Sequence, residues 1–222
     1  SKKKKNNIFN MPFNFYYSPD IKNNNEKYFF DNLVKYSYEN NINIIIKSLI
    51  KYDKLDYISQ NMNSILDVKE FTSYEEYFKS LRKNFKQNIR TSYNKLPNDF
   101  EFKIIDNIEE LKLFYIALSE LYIDKHKMVF QPFSLYKKLF EKGMANFFVY
   151  KREKKVLSAI VIIEDGDKIH YNWGITNKDY YKYSLNTLLV NEMIKFYFEK
   201  NINYFDFGAT PNSDEKLLYF KS

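Results

Sequence analysis

Cysteine is absent from the 222 residues. Disulfides, thiolate nucleophiles and cysteine zinc sites are thereby excluded. Glycine is scarce, with four residues: Gly143, Gly166, Gly174 and Gly208. No G-x-G-x-x-G or G-x-x-x-x-G-K-[ST] phosphate loop can be drawn from them. The two histidines, His126 and His170, are too few for a histidine cluster, so no metal is expected. Arginine occurs only as Arg82, Arg90 and Arg152. Apolar runs such as 42–46 and 156–163 are far too short to span a bilayer. The lysines at 2–5 lead into Asn and Pro, not into an apolar segment, so no signal peptide is visible. A cytoplasmic location is the expectation.

What is present is an apolar and aromatic chain. Hydrophobic residues make up 45% and aromatics 19%, which supports a sizeable core and argues against disorder. The net charge is +7 and is supplied almost entirely by lysine. An excess of Lys, Asn, Ile, Tyr and Phe reads as the product of an AT-rich genome. Basicity alone is therefore a weak argument for nucleic acid, since net charge informs association and not fold.

Residues 1–25 are polar and low in complexity and read as a tail and lead-in. Apolar residues at 29, 30, 33 and 34 recur at helical spacing over 26–38. Residues 42–50 read as a buried strand, 55–60 as a short helix and 65–71 as a second strand. Ser73-Tyr-Glu-Glu76 is a capping box, and one helix is expected to run from it to about 94. That helix carries Tyr77, Phe78, Leu81, Phe85 and Ile89 on one stripe, and Lys79, Arg82, Lys83, Lys86 and Arg90 on the other. A strand at 100–105 follows, then a helix at 108–124 capped by Asp106, and a helix at 134–142. Strands at 147–151, 156–164 and 168–175 form an antiparallel meander, its second turn being Asp165-Gly166-Asp167. A helix at 184–200, a short strand at 204–207 ending in Gly208, and a helical turn at 214–220 complete the reading. The result is an α+β fold: a mixed sheet with an antiparallel meander, a crossover helix and a parallel return strand.

Three stretches carry a family resemblance: EYFKSLRKNFKQNIRTSYNK (76–95), LNTLLVNEMIKFYFEKNINYFDFGAT (185–210) and LLYFK (217–221). They are similar, in order, to the basic helix, the leucine-rich helix with its Asp-Phe-Gly passage, and the Phe-Lys pair of the Fem-type branch of the GNAT acyltransferase superfamily. This branch is also described as BioF2-like acetyltransferase domains. The resemblance covers 72–222. Asp-Phe-Gly also occurs in kinases, but the chain has no glycine-rich loop and no His-Arg-Asp loop. On this reading 26–71 is the remnant of a preceding half or an N-terminal extension. Residues 72–222 are the GNAT-like domain, with a shortened C-terminus expected.

The resemblance implies acyl transfer to an amine, from acyl-CoA or from aminoacyl-tRNA. It assigns Lys221 to stabilising the tetrahedral intermediate and makes Tyr219 a candidate general acid. Asp206 sits in the apolar run Tyr204-Phe-Asp-Phe207, where a carboxylate must find donors. It is either a structural tie to Thr210 and the Gly208 turn or a catalytic base. For the donor, the strand end Asn172, Trp173 and Gly174 is implied, with Lys182, Ser184 and Asn186 at a helix start that offers its unpaired N–H groups to an anion. That start reads DYYKYSLN (179–186) and lacks the glycines of the CoA-dependent branch. For the acceptor, Arg90, His126 and Lys127 are implied, the last two in a loop. Strand alternation predicts Ile169, Tyr171 and Trp173 on one face, with His170, Asn172 and Gly174 on the other.

The expected function is N-acyl transfer from acyl-CoA, as co-substrate and without metal, to a small-molecule amine linked to the cell envelope or to a sugar. An alternative is an aminoacyl-tRNA-dependent transferase acting on a peptidoglycan precursor, with tRNA as partner. A third reading is a catalytically silent GNAT-like module that binds nucleic acid or protein.

Overall fold

The computed structural model describes residues 6–9, 26–45, 61–126, 131–200 and 202–211. They fall into two compact units, one drawn from 6–62 and 208–211 and the other from 63–207. Expected features at 55–60 and 214–220 lie outside the described residues, as do Lys127, Tyr219 and Lys221.

In the first unit a strand, β1 (Asn6–Phe9), pairs in parallel with β2 (Ile42–Ile45). Between them in sequence lies α1 (Glu26–Asn40), which matches the helical spacing of its apolar residues.

The larger unit is built on a six-stranded sheet. Its strands are β3 (Asn61–Asp67), β4 (Glu101–Ile104), β5 (Ala145–Arg152), β6 (Lys155–Asp165), β7 (Lys168–Thr176) and β8 (Tyr204–Pro211). Their spatial order is β3-β8-β7-β6-β5-β4. Strands β4 to β7 are antiparallel neighbours, and β8 returns parallel to β7. Strand β6 is central and buried from Val156 to Ile163, which explains its unbroken apolar run.

The helices divide between the two faces. α6 (Leu185–Phe198) lies on one, where Leu185, Leu188, Leu189 and Met193 join Phe148, Ile160, Ile162, Ile169 and Phe205 in the main core. α4 (Ile108–His126) and α5 (Phe133–Glu141) lie on the other. There Phe147 meets Phe114 edge-on at 5.2 Å and Tyr136 at 6.0 Å.

Several expected elements differ in detail. The single helix expected over 73–94 is two, α2 (Tyr74–Ser80) and α3 (Lys83–Asn94). Leu81 and Arg82 between them are extended, with ψ of 146° and 142°. The break lets both pieces rest on α6: Tyr74 and Tyr77 pack on Phe198, while Tyr93 reaches Glu192 and Asn191. Lys86 Nζ donates to the Lys79 carbonyl at 2.7 Å and satisfies an acceptor that the break orphans. The strand expected over 65–71 begins earlier and ends at Asp67, whose side chain caps a 3₁₀ turn, Val68–Glu70. The cap of α4 is Asn107, not Asp106: Asn107 Oδ1 accepts from Glu110 N at 2.9 Å. Asp106 instead accepts from Asn107 Nδ2 at 2.8 Å and pairs with Lys103, contacts that hold its carboxyl below the usual range. The capping box at Ser73 forms, but Glu76 reaches back to Thr72 rather than to Ser73.

Candidate functional site

The site is built around β7, whose two edges are paired unequally. Its edge toward β6 is laddered from Lys168 to Thr176, with one irregularity. Tyr171 faces Ile162 and Trp173 faces Val161, so Asn172 is an extra residue, a β-bulge. Toward β8 the register holds three pairs and ends at His170 opposite Asp206.

The bulge corrects the expected alternation. Residues paired across a ladder share a face, so Tyr171 and Gly174 point with Ile162 and Ile160 toward α6. Trp173 points the other way, with Val161, and joins His170 on the face covered by α4. Its ring meets Tyr122 of α4 edge-on at 4.9 Å. One inserted residue therefore moves Trp173 away from Ile169 and Tyr171, and Gly174 away from His170.

On the α6 side, Tyr171 lies across Gly174 and donates from its hydroxyl to Asn186 Oδ1 at 3.2 Å. A Cβ at position 174 would sit 1.5 Å from that hydroxyl, so only glycine fits. Burial pushes the Tyr171 phenol above its ordinary pKa. Gly174 and Asn186, both expected at the donor site, are brought together through Tyr171.

Next to this junction a 3₁₀ helix, Lys178–Tyr183, leads into α6 through Ser184, a left-handed residue with φ of 53°. The Ser184 carbonyl accepts from Thr187 N at 3.0 Å, and its side chain makes no cap hydrogen bond. Lys182 is exposed, with its ammonium 5.0 Å from the Tyr183 ring centroid. The first-turn amides of α6 and the Lys182 ammonium are the groups at this glycine-free start whose chemistry suits an anion.

On the α4 side, His170 Nδ1 donates to Asp206 Oδ2 at 3.2 Å. Both side chains are about six-sevenths buried, at 15% and 14% exposure. His170 Nε2 lies 4.0 Å from Asp165 Oδ2 at the end of β6. The sequence does not pair Asp206 with His170, because the contact depends on the parallel register.

Of the acceptor candidates, Lys127 lies outside the described residues. Arg90 lies exposed on α3, on the α6 side of the sheet, with its guanidinium carbon 5.8 Å from the Phe78 ring centroid. His126 is the last residue of α4 and not part of a loop, because that helix runs two residues further than expected. Sequence reasoning missed Tyr171 and Tyr122, and in a chain with 21 tyrosines no local signal marks them. Among the described residues there is no group of His, Cys, Asp and Glu able to hold a metal ion. No described helix is long and apolar enough to cross a membrane.

Comparison with known proteins agrees with this architecture. FemX shares the fold with a TM-score of 0.58 at 15% identity, over 78% of this chain and 60% of FemX. L-PGS from Bacillus licheniformis gives 0.57 at 16% identity, over 84% of this chain and 58% of that protein. A conserved protein of unknown function from Bacteroides thetaiotaomicron gives 0.54 at 13% identity, over 88% and 70%. The chain thus spans about three fifths of the first two proteins. No curated protein matches the sequence. A family model described as an acetyltransferase (GNAT) domain matches residues 79–220, and by that match the chain belongs to the GNAT acetyltransferase-domain family.

Proposed function

We propose that this chain is an N-acyltransferase that receives its donor beside β7 and passes the acyl group to an amine. The observation that carries the reading is the end of the β7–β8 pairing at His170 and Asp206, directly followed by the bulge at Asn172. A bulge re-aims the chain and disturbs the ladder locally, and such features recur next to active sites. Holding an amine against an acyl carbonyl in the right geometry supplies much of the rate, and fixed charge at the developing oxyanion supplies more. Following the Fem-type resemblance, we assign the second role to Lys221, with Tyr219 as the acid for the leaving group.

Acyl-CoA is the donor we favour, because the single-domain shape suits a small donor. The acceptor is a small amine, cell-envelope or sugar-linked. The glycine-free sequence 179–186 and the basic helix α3 support the second donor, an aminoacyl-tRNA serving a peptidoglycan precursor. Release of free thiol from acetyl-CoA in the presence of a primary-amine panel tests the first donor. Transfer of a labelled amino acid from charged tRNA tests the second. Turnover with either supports a transferase, and loss of that turnover in Lys221→Ala supports the oxyanion role. A well-folded protein that transfers from neither donor defeats the reading and leaves a binding module.

A further inference from the structure

We propose that Tyr171 is a specificity-determining residue: its ring fills the slot between β7 and α6 at the end of the β7–β8 ladder and limits the donor to short acyl groups. The proposal rests on the transferase reading above, with acyl-CoA as donor. The ladder ends at His170, and Tyr171 is the first residue beyond it. Its side chain leaves β7 on the face toward α6 and runs along the strand, over Gly174, to Asn186 in the first turn of α6. Gly174 has no turn to make: Gly143, Gly166 and Gly208 have positive φ, and Gly174 does not. What glycine supplies at 174 is room. A Cβ there would stand 1.5 Å from the Tyr171 hydroxyl oxygen, 2.6 Å from its Cζ and 3.2 Å from Asn186 Oδ1. The strand forgoes a side chain at 174 to seat the ring of 171.

Packing holds that ring more than bonding does. Its hydroxyl donates to Asn186 Oδ1 at 3.2 Å, which is long for an O–H donor. The hydroxyl end is buried, whereas Tyr171, Gly174 and Asn186 each keep part of their surface open to solvent. The ring is therefore a floor with an open flank, packed against the main core on its other side. On the opposite face of β7, Trp173 meets Tyr122 edge-on at 4.9 Å. An acyl group at the ladder end is bounded by that aromatic pair toward α4 and by the Tyr171 ring toward α6. A short acyl group fits beside the ring, and further methylenes must displace it. A wall that admits or refuses one methylene discriminates by roughly 10–200-fold.

The test uses the full chain, with acetyl-, butyryl- and hexanoyl-CoA as donors and glucosamine as the amine probe. In each reaction the amine nitrogen bonds to the thioester carbonyl carbon and the C–S bond breaks. The sulfur leaves with the electron pair and takes up the proton that the nitrogen loses, giving an amide and a free thiol. Free thiol therefore counts transfers whatever the chain length.

The wild type is expected to use hexanoyl-CoA with a kcat/KM about tenfold or more below that for acetyl-CoA. Tyr171→Leu removes the ring and should raise the hexanoyl-to-acetyl ratio of kcat/KM by about tenfold or more, with butyryl-CoA between. Tyr171→Phe keeps the ring and should leave the ratio within about threefold of wild type. A purely structural role would lower kcat/KM for all three donors alike and leave the ratio unmoved. Thermal unfolding checks that both variants are folded. A ratio unmoved in folded Tyr171→Leu, or moved as far in Tyr171→Phe, overturns the role of Tyr171 and leaves the transferase reading standing. If Tyr171→Leu does not fold, the wild type decides: hexanoyl-CoA used within about threefold of acetyl-CoA overturns the proposal, and a larger fall supports it. Absence of wild-type turnover with all three donors overturns both the proposal and the acyl-CoA reading.

Discussion

The two faces of the larger sheet are covered by helices, yet their polar groups are arranged differently. Toward α6 the polar side chains satisfy one another. Tyr74 donates to Asn191 at 2.7 Å, Asn191 to Tyr93, and Tyr93 to Glu192. Nearby, Asn146 and Tyr197 both donate to Glu164. Burial raises the phenols of Tyr93, Tyr150 and Tyr197, and lifts Tyr77 to about 12. Toward α4 and α5 the middle is apolar and ionisable groups gather at the margins. Lys103 pairs with Glu110 near β4, and His170 pairs with Asp206 where β7 and β8 meet. A closed network of buried polar groups fixes packing. The His170–Asp206 pair instead stands where the β7–β8 ladder ends.

The sharpest test of the apolar middle is Phe147→Ala. That ring is fully buried between Phe114 and Tyr136, and its loss should cost about 3–5 kcal/mol in chemical denaturation. Gly174→Ala, on the opposite face, should cost about 1–3 kcal/mol through overpacking against Tyr171. On the acyl-CoA reading proposed above, it should also give a smaller thermal shift with acetyl-CoA than the wild type. If the Tyr171→Ala background does not restore stability to Gly174→Ala, the close approach is not the cause. Tyr93→Phe removes one partner each from Asn191 and Glu192 and should cost roughly 1 kcal/mol or somewhat more. A neutral result would mean that water replaces the phenol.

Alkaline pH probes the same face without mutation. These phenols are held protonated in the folded state, while the unfolded chain releases its protons near the ordinary tyrosine value of about 10. Between that value and the raised folded value, the folded state binds more protons than the unfolded one. Stability is therefore fully present below pH ~10 and declines above it, through about pH 12 in the case of Tyr77. Tyr77→Phe should flatten the decline in urea midpoints, and an unchanged slope would assign it to other groups. The smallest expected effect is Arg90→Ala. If α3 is a solvated helix face, stability should change by less than about 0.5 kcal/mol and turnover not at all. A marked rise in acceptor KM would return Arg90 to the site.

Much of this was legible along the chain because local chemistry dictated it. The capping signal at Ser73, the Asp-Gly-Asp turn and the buried run of β6 each gave the right element. The order of meander, helix and return strand gave the parallel β8. Local periodicity misled where tertiary packing chose between near-equal alternatives. The stripe from Tyr77 to Ile89 fits one helix as well as two, and α6 settled the matter by taking two helices at different points along its length.

The sequence by itself determined the α+β order, the absence of cysteine chemistry and of glycine-rich nucleotide loops, and the motifs of the family. These follow from residue types and short spacings. Only the tertiary structure decided that His170 meets Asp206, that Trp173 shares their face, and that Tyr171 occupies the space above Gly174. Each depends on a bulge or a strand register. The bulge is set by how β7 pairs with β6, and the register by how the 35 residues between His170 and Asp206 fold back, a closure that no local pattern records.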